Sequence, residues 1–311
     1  MPSIGRRSKN IFLAIILFLA IILIAGCAIK ADPQTANGKI VDCVGREVAL
    51  PENIQRVAAL DSFAGEAMVM IGAGPQMVAA PNGVRMDKLL AKIYPGLDQV
   101  AVPMSGGTVN AESLLALDVD LVLLKGALYS GGGEGEKLDK LGIPYLVIAY
   151  SDMKEQIYAL DMIGKALGGQ AEQKAEKINQ YYRKTIASVQ EIAAKIPDEQ
   201  KLRIYHSINE VVRTDGHDSL GKDWIETVGA INVSVDQELM TAESNYFAGM
   251  EQIFVWDPDI IICNEADTVD YLKNDAKCQG LRAVYENKVY NIPVAATRWG
   301  QQGSLETFFA M

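Results

Sequence analysis

The sequence predicts an α/β protein of two Rossmann-like lobes, each built on a central parallel sheet, joined by one long α-helix and separated by a ligand cleft. Three observations carry this. Short apolar runs alternate with helical patterns in both halves of the chain. A helix-only stretch interrupts the alternation near the middle. The two alternating halves repeat each other. With 311 residues, 49% of them hydrophobic, the chain has enough apolar material for two medium cores.

The chain opens with a basic patch, Arg6, Arg7 and Lys9, followed by an unbroken apolar run of 15 residues from Ile11 to Ala25. A membrane span needs about 20 such residues, so residues 1–26 read as an export signal. Ile24-Ala25-Gly26-Cys27 resembles a lipobox, which makes Cys27 the lipidation site and the new N-terminus. Residues 27–38 are polar and read as a flexible tether.

The first lobe is assigned to residues 39–152. Lys39–Asp42 and Gly45–Pro51 suggest a small hairpin. Arg56–Leu60 is the first core strand, Gly65–Ile71 a helix closed by Gly72-Ala73-Gly74-Pro75. Further strands fall at Met77–Ala80, Leu121–Leu124 and Tyr145–Ile148. Residues 153–197 carry almost no strand signal. Gly168 and Gly169 break this stretch, and Ala171–Ile196 reads as the long interlobe helix, with Ile178, Tyr181, Tyr182, Thr185, Ile186, Val189 and Ile192 on one face. Residues 198–311 form the second lobe, with strands at Leu202–Tyr205, Ile260–Cys263 and Val289–Ile292.

The repeat is gapless over its main block. Glu112 to Leu124 aligns with Glu251 to Cys263, with the glutamate, both aspartates and every strand position alike in kind. Met68–Ala73 (MVMIGA) is echoed by Ile225–Ala230 (IETVGA).

Several chemistries are excluded. Removal of residues 1–26 takes the net charge from −10 to −13, which would repel the phosphates of a nucleic acid. There is no nucleophile elbow, phosphate-binding GxxxxGK[ST] or zinc-protease HExxH, so no enzyme activity and no cofactor are expected. Gly131–Glu136 is glycine-rich, but its two glutamates disfavour phosphate; a loop at the cleft rim and a plain connection both fit it. His206 and His217 are the only histidines, too few for a protein that binds bare zinc or manganese. Cys263 and Cys278 either pair in an oxidising compartment or stay as buried thiols, and Cys43 completes an odd set.

A resemblance now becomes visible. Asp42-x-x-Gly45-Arg46-x-Val48-x-Leu50-Pro51 and Arg56-Val57 follow the signal and lipobox. Asn110-x-Glu112-x-x-Leu115-x-Leu117 then leads into Asp120-Leu121-Val122, and Leu141-Gly142-Ile143-Pro144 precedes the long helix. Trp256-x-Pro258-Asp259 and, after Val289-Tyr290, Arg298-Trp299-Gly300 close the series. In order and spacing these motifs resemble the extracytoplasmic solute-binding proteins of ABC importers, in the siderophore, haem and cobalamin class. The match runs from about Lys39 to the end of the chain. The resemblance implies a lipid-anchored protein on the outer face of the cytoplasmic membrane. It implies an iron complex (siderophore or haem type) as ligand, with a corrinoid or oxyanion as the alternative, and an ABC permease dimer with its ATPase as partner. A rival of another class is an extracytoplasmic metal-chelate enzyme on the same scaffold, which scattered cysteines do not favour. The family normally continues as a helix beyond the Arg-Trp element, so a helix cut short at Phe308-Phe309 and exposure of both rings are expected.

In parallel sheets, ligands sit beyond the carboxyl ends of the strands. That rule marks Ser62, Phe63, Ser105 and Tyr129 in the first lobe, and Asn209, His217, Glu265, Arg298 and Trp299 in the second; Arg85, in Pro81–Arg85, is a further cationic candidate. Arg298 and Trp299 head the list, because a guanidinium and an aromatic face suit a large anionic chelate. An ion pair to a lobe carboxylate and plain core packing are their respective alternatives, and a solvated loop is the alternative for His217. Glu112 and Glu251 hold equivalent places at helix starts. The resemblance assigns them to permease docking, and helix-dipole stabilisation alone is the other reading.

Overall fold

The computed structural model describes residues 38–311 apart from Gly106, Glu243 and Ser244. The signal segment, Cys27 and the tether up to residue 37 lie outside the described residues. Strand β1 (Lys39–Val41) pairs antiparallel with β2 (Glu47–Ala49). Asp42 fixes this hairpin: its carboxylate accepts from the backbone of Val44 and Arg46 and, across the chain, from Val147.

Strand β3 (Val57–Leu60) is followed by helix α1 (Ser62–Met70), strand β4 (Met77–Ala79), helix α2 (Ala111–Ala116), and strands β5 (Leu121–Lys125) and β6 (Tyr145–Ile148). The four strands β3 to β6 pair in parallel, in the order β4-β3-β5-β6. Val57, Ala59, Leu121 and Leu123 enter one core and Ala58, Leu60, Val122 and Leu124 another, so both faces of the sheet are covered. That is why these strands read as continuous apolar runs without alternation.

Two helices follow, α3 (Met153–Leu167) and α4 (Gly169–Ala193). They fold back on each other at Gly168 (φ 67°) and Gly169 (φ 55°). Gly164 lets them approach closely, since a Cβ there would come within 2.5 Å of the Ala175 Cβ. The predicted apolar stripe of the long helix is only partly used. Its buried positions are Ala171, Ala175, Asn179 and Tyr182, while Tyr181 and Ile192 are exposed.

The second lobe contains β7 (Arg203–Ser207), α5 (Leu220–Thr227), β8 (Ile231–Asn232), α6 (Met250–Trp256), β9 (Ile260–Cys263), α7 (Ala266–Asn274) and β10 (Val289–Asn291). Its sheet is again all parallel, in the order β8-β7-β9-β10. In both lobes the first strand lies between the second and third and the fourth is at the edge, so the sequence repeat is a repeat of topology.

The repeated residues explain themselves at this level. Asp118 and Asp257 end α2 and α6 in the left-handed region, with φ 49° and 40°, where a short polar side chain is tolerated. Asp120 then accepts the backbone N–H groups of Gln55 and Arg56, both at 2.8 Å, and Asp259 accepts that of Arg203 at 2.7 Å. Each second aspartate thus ties the third strand to the entry of the first. The MVMIGA and IETVGA echo encodes one helix ending: Ala73 N donates to Met68 O and Ala230 N to Ile225 O, with Gly72 and Gly229 at positive φ. This is the Schellman geometry, in which glycine relieves the backbone.

Cys43, Cys263 and Cys278 are buried, and Cys263 and Cys278 do not pair with each other. Burial lifts the Cys263 thiol to about 12, which keeps it protonated and unreactive. Among the described residues no helix is long and apolar enough to cross a membrane.

Candidate functional site

In each lobe the strand order reverses between the first and third strands, and their carboxyl ends open a crevice at that switch point. In the first lobe these ends lead into Asp61 and Lys125. In the second they lead into Ile208 and Asn264. Residues 296–305 run between the two. A Cβ on Gly83 would press on the Ala296 carbonyl, and one on Gly303 would lie 3.5 Å from both Ser62 Cβ and Thr297 Cγ2. Arg298 pairs with Glu265, at the entry to α7, and the Trp224 indole on α5 donates to Gly300 O at 3.1 Å. The seam between the lobes is therefore lined by Ser62 and the Pro81–Arg85 turn on one side, and by Glu265 and Trp224 on the other.

Of the residues marked from sequence, Ser62, Arg298 and Trp299 are brought together here. Ser62 is half-buried at the start of α1, whose cap is Asp61, accepting from Ala64 N. Burial pushes the Asp61 carboxyl up, and the Lys125 ammonium partly offsets this. Arg298 makes the ion pair weighed as its alternative, and its Nε has no acceptor among the described residues. Trp299 is half-buried, its ring 5.3 Å from that of Phe309, and its Nε1 likewise lacks an acceptor among the described residues. Arg85 is exposed at the end of the turn that meets Ala296.

The other candidates are placed elsewhere. Phe63 is fully buried with its ring 5.1 Å from Tyr150, so it packs the core beneath the seam and offers no open face. Tyr129 is drawn toward the Arg46 guanidinium, 5.3 Å from its ring, and toward Tyr145, the first residue of β6. That is the amino end of the strand, opposite the crevice, and the cation–π contact accounts for it. His217 is exposed and edge-on to Tyr246 on a neighbouring antiparallel ribbon. The Ser105 backbone pairs Met104–Ser105 with Thr108–Val109. Phe308 departs from the expected exposure, since it packs edge-on to Tyr182, 4.7 Å between centroids; Phe309 is 54% exposed.

Glu112 and Glu251 are exposed in the first turns of α2 and α6. Each has an apolar neighbour one turn on, Leu115 (52% exposed) and Phe254 (36%).

A buried polar cluster backs the second lobe's switch point. His206 Nδ1 lies 2.8 Å from Asp215 Oδ2, and its Nε2 lies 3.0 Å from Asn264 Oδ1. Asn232 and Ser234 complete the shell of Asp215. Burial draws the imidazolium down, but Asp215 and the two hydrogen bonds outweigh it and leave the histidine raised above 6.5. Asn264 Nδ2 is buried without an acceptor among the described residues. Gly221 is required beside this cluster, because any Cβ there would collide with the Asp215 carboxylate. Tyr150, Glu66 and Asn264 were not marked from sequence. Tyr150 stands two residues beyond the carboxyl end of β6, where the same strand-end rule reaches it. Glu66 stands out only as a lone charge in an apolar helix. Among the described residues no group of three or more potential metal ligands is found.

The family model described as periplasmic binding protein matches residues 57–296. The molybdate-binding protein MolA of Haemophilus influenzae is 23% identical over 294 residues, covering 85% of this chain and 80% of the relative. Its molybdate-bound structure superposes with a TM-score of 0.72 at 19% identity, covering 86% and 87% of the two chains. Helicobacter pylori CeuE with Ni(II) gives 0.71 at 20% identity, covering 85% and 83%. The vitamin B12-binding protein BtuF of Vibrio cholerae gives 0.64 at 19%, covering 82% and 93%.

Proposed function

Because the chain belongs to the periplasmic binding protein family, we propose that it captures an anionic, oxygen-rich metal species between its lobes and delivers it to an ABC permease dimer with its ATPase. The observation that carries this reading is the set of buried N–H donors on the second lobe's side of the seam that have no acceptor among the described residues: Arg298 Nε, Trp299 Nε1 and Asn264 Nδ2. A buried unmet donor costs about 1–3 kcal/mol, so such a cluster favours a ligand rich in acceptors. A ferric chelate of the siderophore type fits, its oxygen donors meeting these groups and its ring system lying against Trp299. A free oxyanion is the second reading, favoured by the likeness to MolA, whose name specifies molybdate.

Native mass spectrometry and calorimetry against ferric catecholates and hydroxamates, haem, cobalamin and molybdate test the reading. Binding of a ferric chelate or of molybdate supports it. Retention of cobalamin alone, or of nothing, rejects the acceptor-rich ligand. The extracytoplasmic placement is extended in the same way: Cys27 is proposed as the lipid anchor, and a fatty-acid probe is expected to label the wild type but not Cys27→Ala. Equal labelling of both removes the anchor.

A further inference from the structure

Residues 299–307 form a strap that leaves the second lobe and docks on the first. Trp224 holds it at Gly300. On the other side Gly303 N donates to the Tyr150 hydroxyl at 2.7 Å, Gln302 Nε2 to Tyr150 O at 3.0 Å and Gln156 Nε2 to Ser304 O at 2.5 Å. The Tyr182 hydroxyl on α4 donates to Gln156 in turn. The last link is Leu305 N, which donates to Glu66 Oε2 at 2.8 Å.

Glu66 is an odd residue for this place. It sits in the apolar helix α1, only 1% exposed, and its Oε1 has no donor among the described residues. The side chain acting on it from the strap is another acid, Glu306, whose Oε2 accepts from Ser304 Oγ at 2.9 Å. Asp61 acts on it from its own helix cap, and the Tyr150 hydroxyl lies within electrostatic reach beyond the end of β6. Lys125 acts on Asp61.

We propose that Glu66, buried beneath the strap and bound by Leu305 N, acts in its protonated form as a clasp that holds the strap across the two lobes, which opens when that proton is lost to solvent. A buried carboxyl facing a second, half-buried acid on the strap is costly to ionise. Burial, with Glu306 adding to it, pushes the Glu66 carboxyl well above its ordinary value. The sign follows. A carboxyl raised on docking contributes stability that is complete below its ordinary value and is lost as pH rises through the raised one. The clasp is therefore closed in acid and loosens toward alkaline pH. Lobe separation has to release the strap, so opening is linked to release of a proton, whatever solute is held.

The test is hydrogen exchange by mass spectrometry on the full chain, following the peptide that spans residues 300–307 and correcting for the intrinsic chemical rate at each pH. In the wild type its protection is expected to fall with rising pH by up to about tenfold per pH unit, the slope of a one-proton linkage. In Glu66→Gln, which keeps an acceptor for Leu305 N, protection is expected to be flat. In Glu306→Gln the fall is expected to move to lower pH. Should Glu66→Gln not fold, Glu306→Gln decides alone. Flat protection in the wild type, or a profile unchanged by either substitution, overturns the clasp.

Discussion

Arg298 commits one edge of its guanidinium to Glu265 and leaves Nε without an acceptor among the described residues, while the adjacent indole leaves Nε1 in the same condition. Packing and ligand contact are therefore both open to Trp299, and the two roles separate on one atom. Trp299→Phe keeps a ring against Phe309 and deletes only the N–H. If that N–H meets the ligand, affinity measured by calorimetry is expected to drop by about 1–3 kcal/mol with the melting temperature unchanged. Equal affinity assigns the indole to packing. At this scale the sequence was a partial guide. Ser62, Arg298 and Trp299 were reachable because position after a strand determines which residues border a crevice. Phe63 and Tyr129 obey the same positional rule but were diverted by neighbours distant in sequence, Tyr150 and Arg46. Such pairings are set by tertiary packing and leave no local pattern.

The element scale shows why the repeat was so legible. Its aspartates occupy backbone positions with defined demands: a left-handed helix exit and a paired strand entry. Asp118 is exposed at φ 49°, so its worth is conformational. Asp118→Gly is expected to leave stability in urea unchanged or slightly higher. Asp118→Val is expected to cost about 1–2 kcal/mol, the penalty for a bulky residue in that region. Equal stability of the two would mean that the helix exit relaxes freely. The strands were legible for a related reason, since burial on both faces demands unbroken apolar runs. The long helix was less so: Tyr181 and Ile192 fit the periodicity yet stay largely exposed, Tyr181 meeting the Phe308 ring only edge-on at 5.6 Å. On the surface, Glu112 and Glu251 occupy equivalent first turns beside Leu115 and Phe254. We expect Glu112→Ala with Glu251→Ala to depress solute import in a transport assay more than either alone, with ligand affinity and melting temperature retained. Surviving import would leave the glutamates only their helix-start role, worth about 0.3–1 kcal/mol each.

For the whole molecule, the strap means that the lobes are joined twice, by the helical pair α3–α4 in the middle of the sequence and by residues 299–307 near its end. The second joint closes a very large loop. Glu66 and Leu305 stand 239 positions apart, and Tyr150 and Gly303 stand 153 apart. Contacts so remote in sequence contribute only after the segments between them have organised, because the entropy of closing the loop must be met first. Each sheet, by contrast, is assembled from strands within one half of the chain. Folding is therefore expected to proceed lobe by lobe, with the seam as its final event, and the surface of α1 around Glu66 stays uncovered until residues 300–305 have been made. An architecture whose first lobe is completed by residues lying beyond its second delays the burial of Glu66 until nearly the whole chain is present.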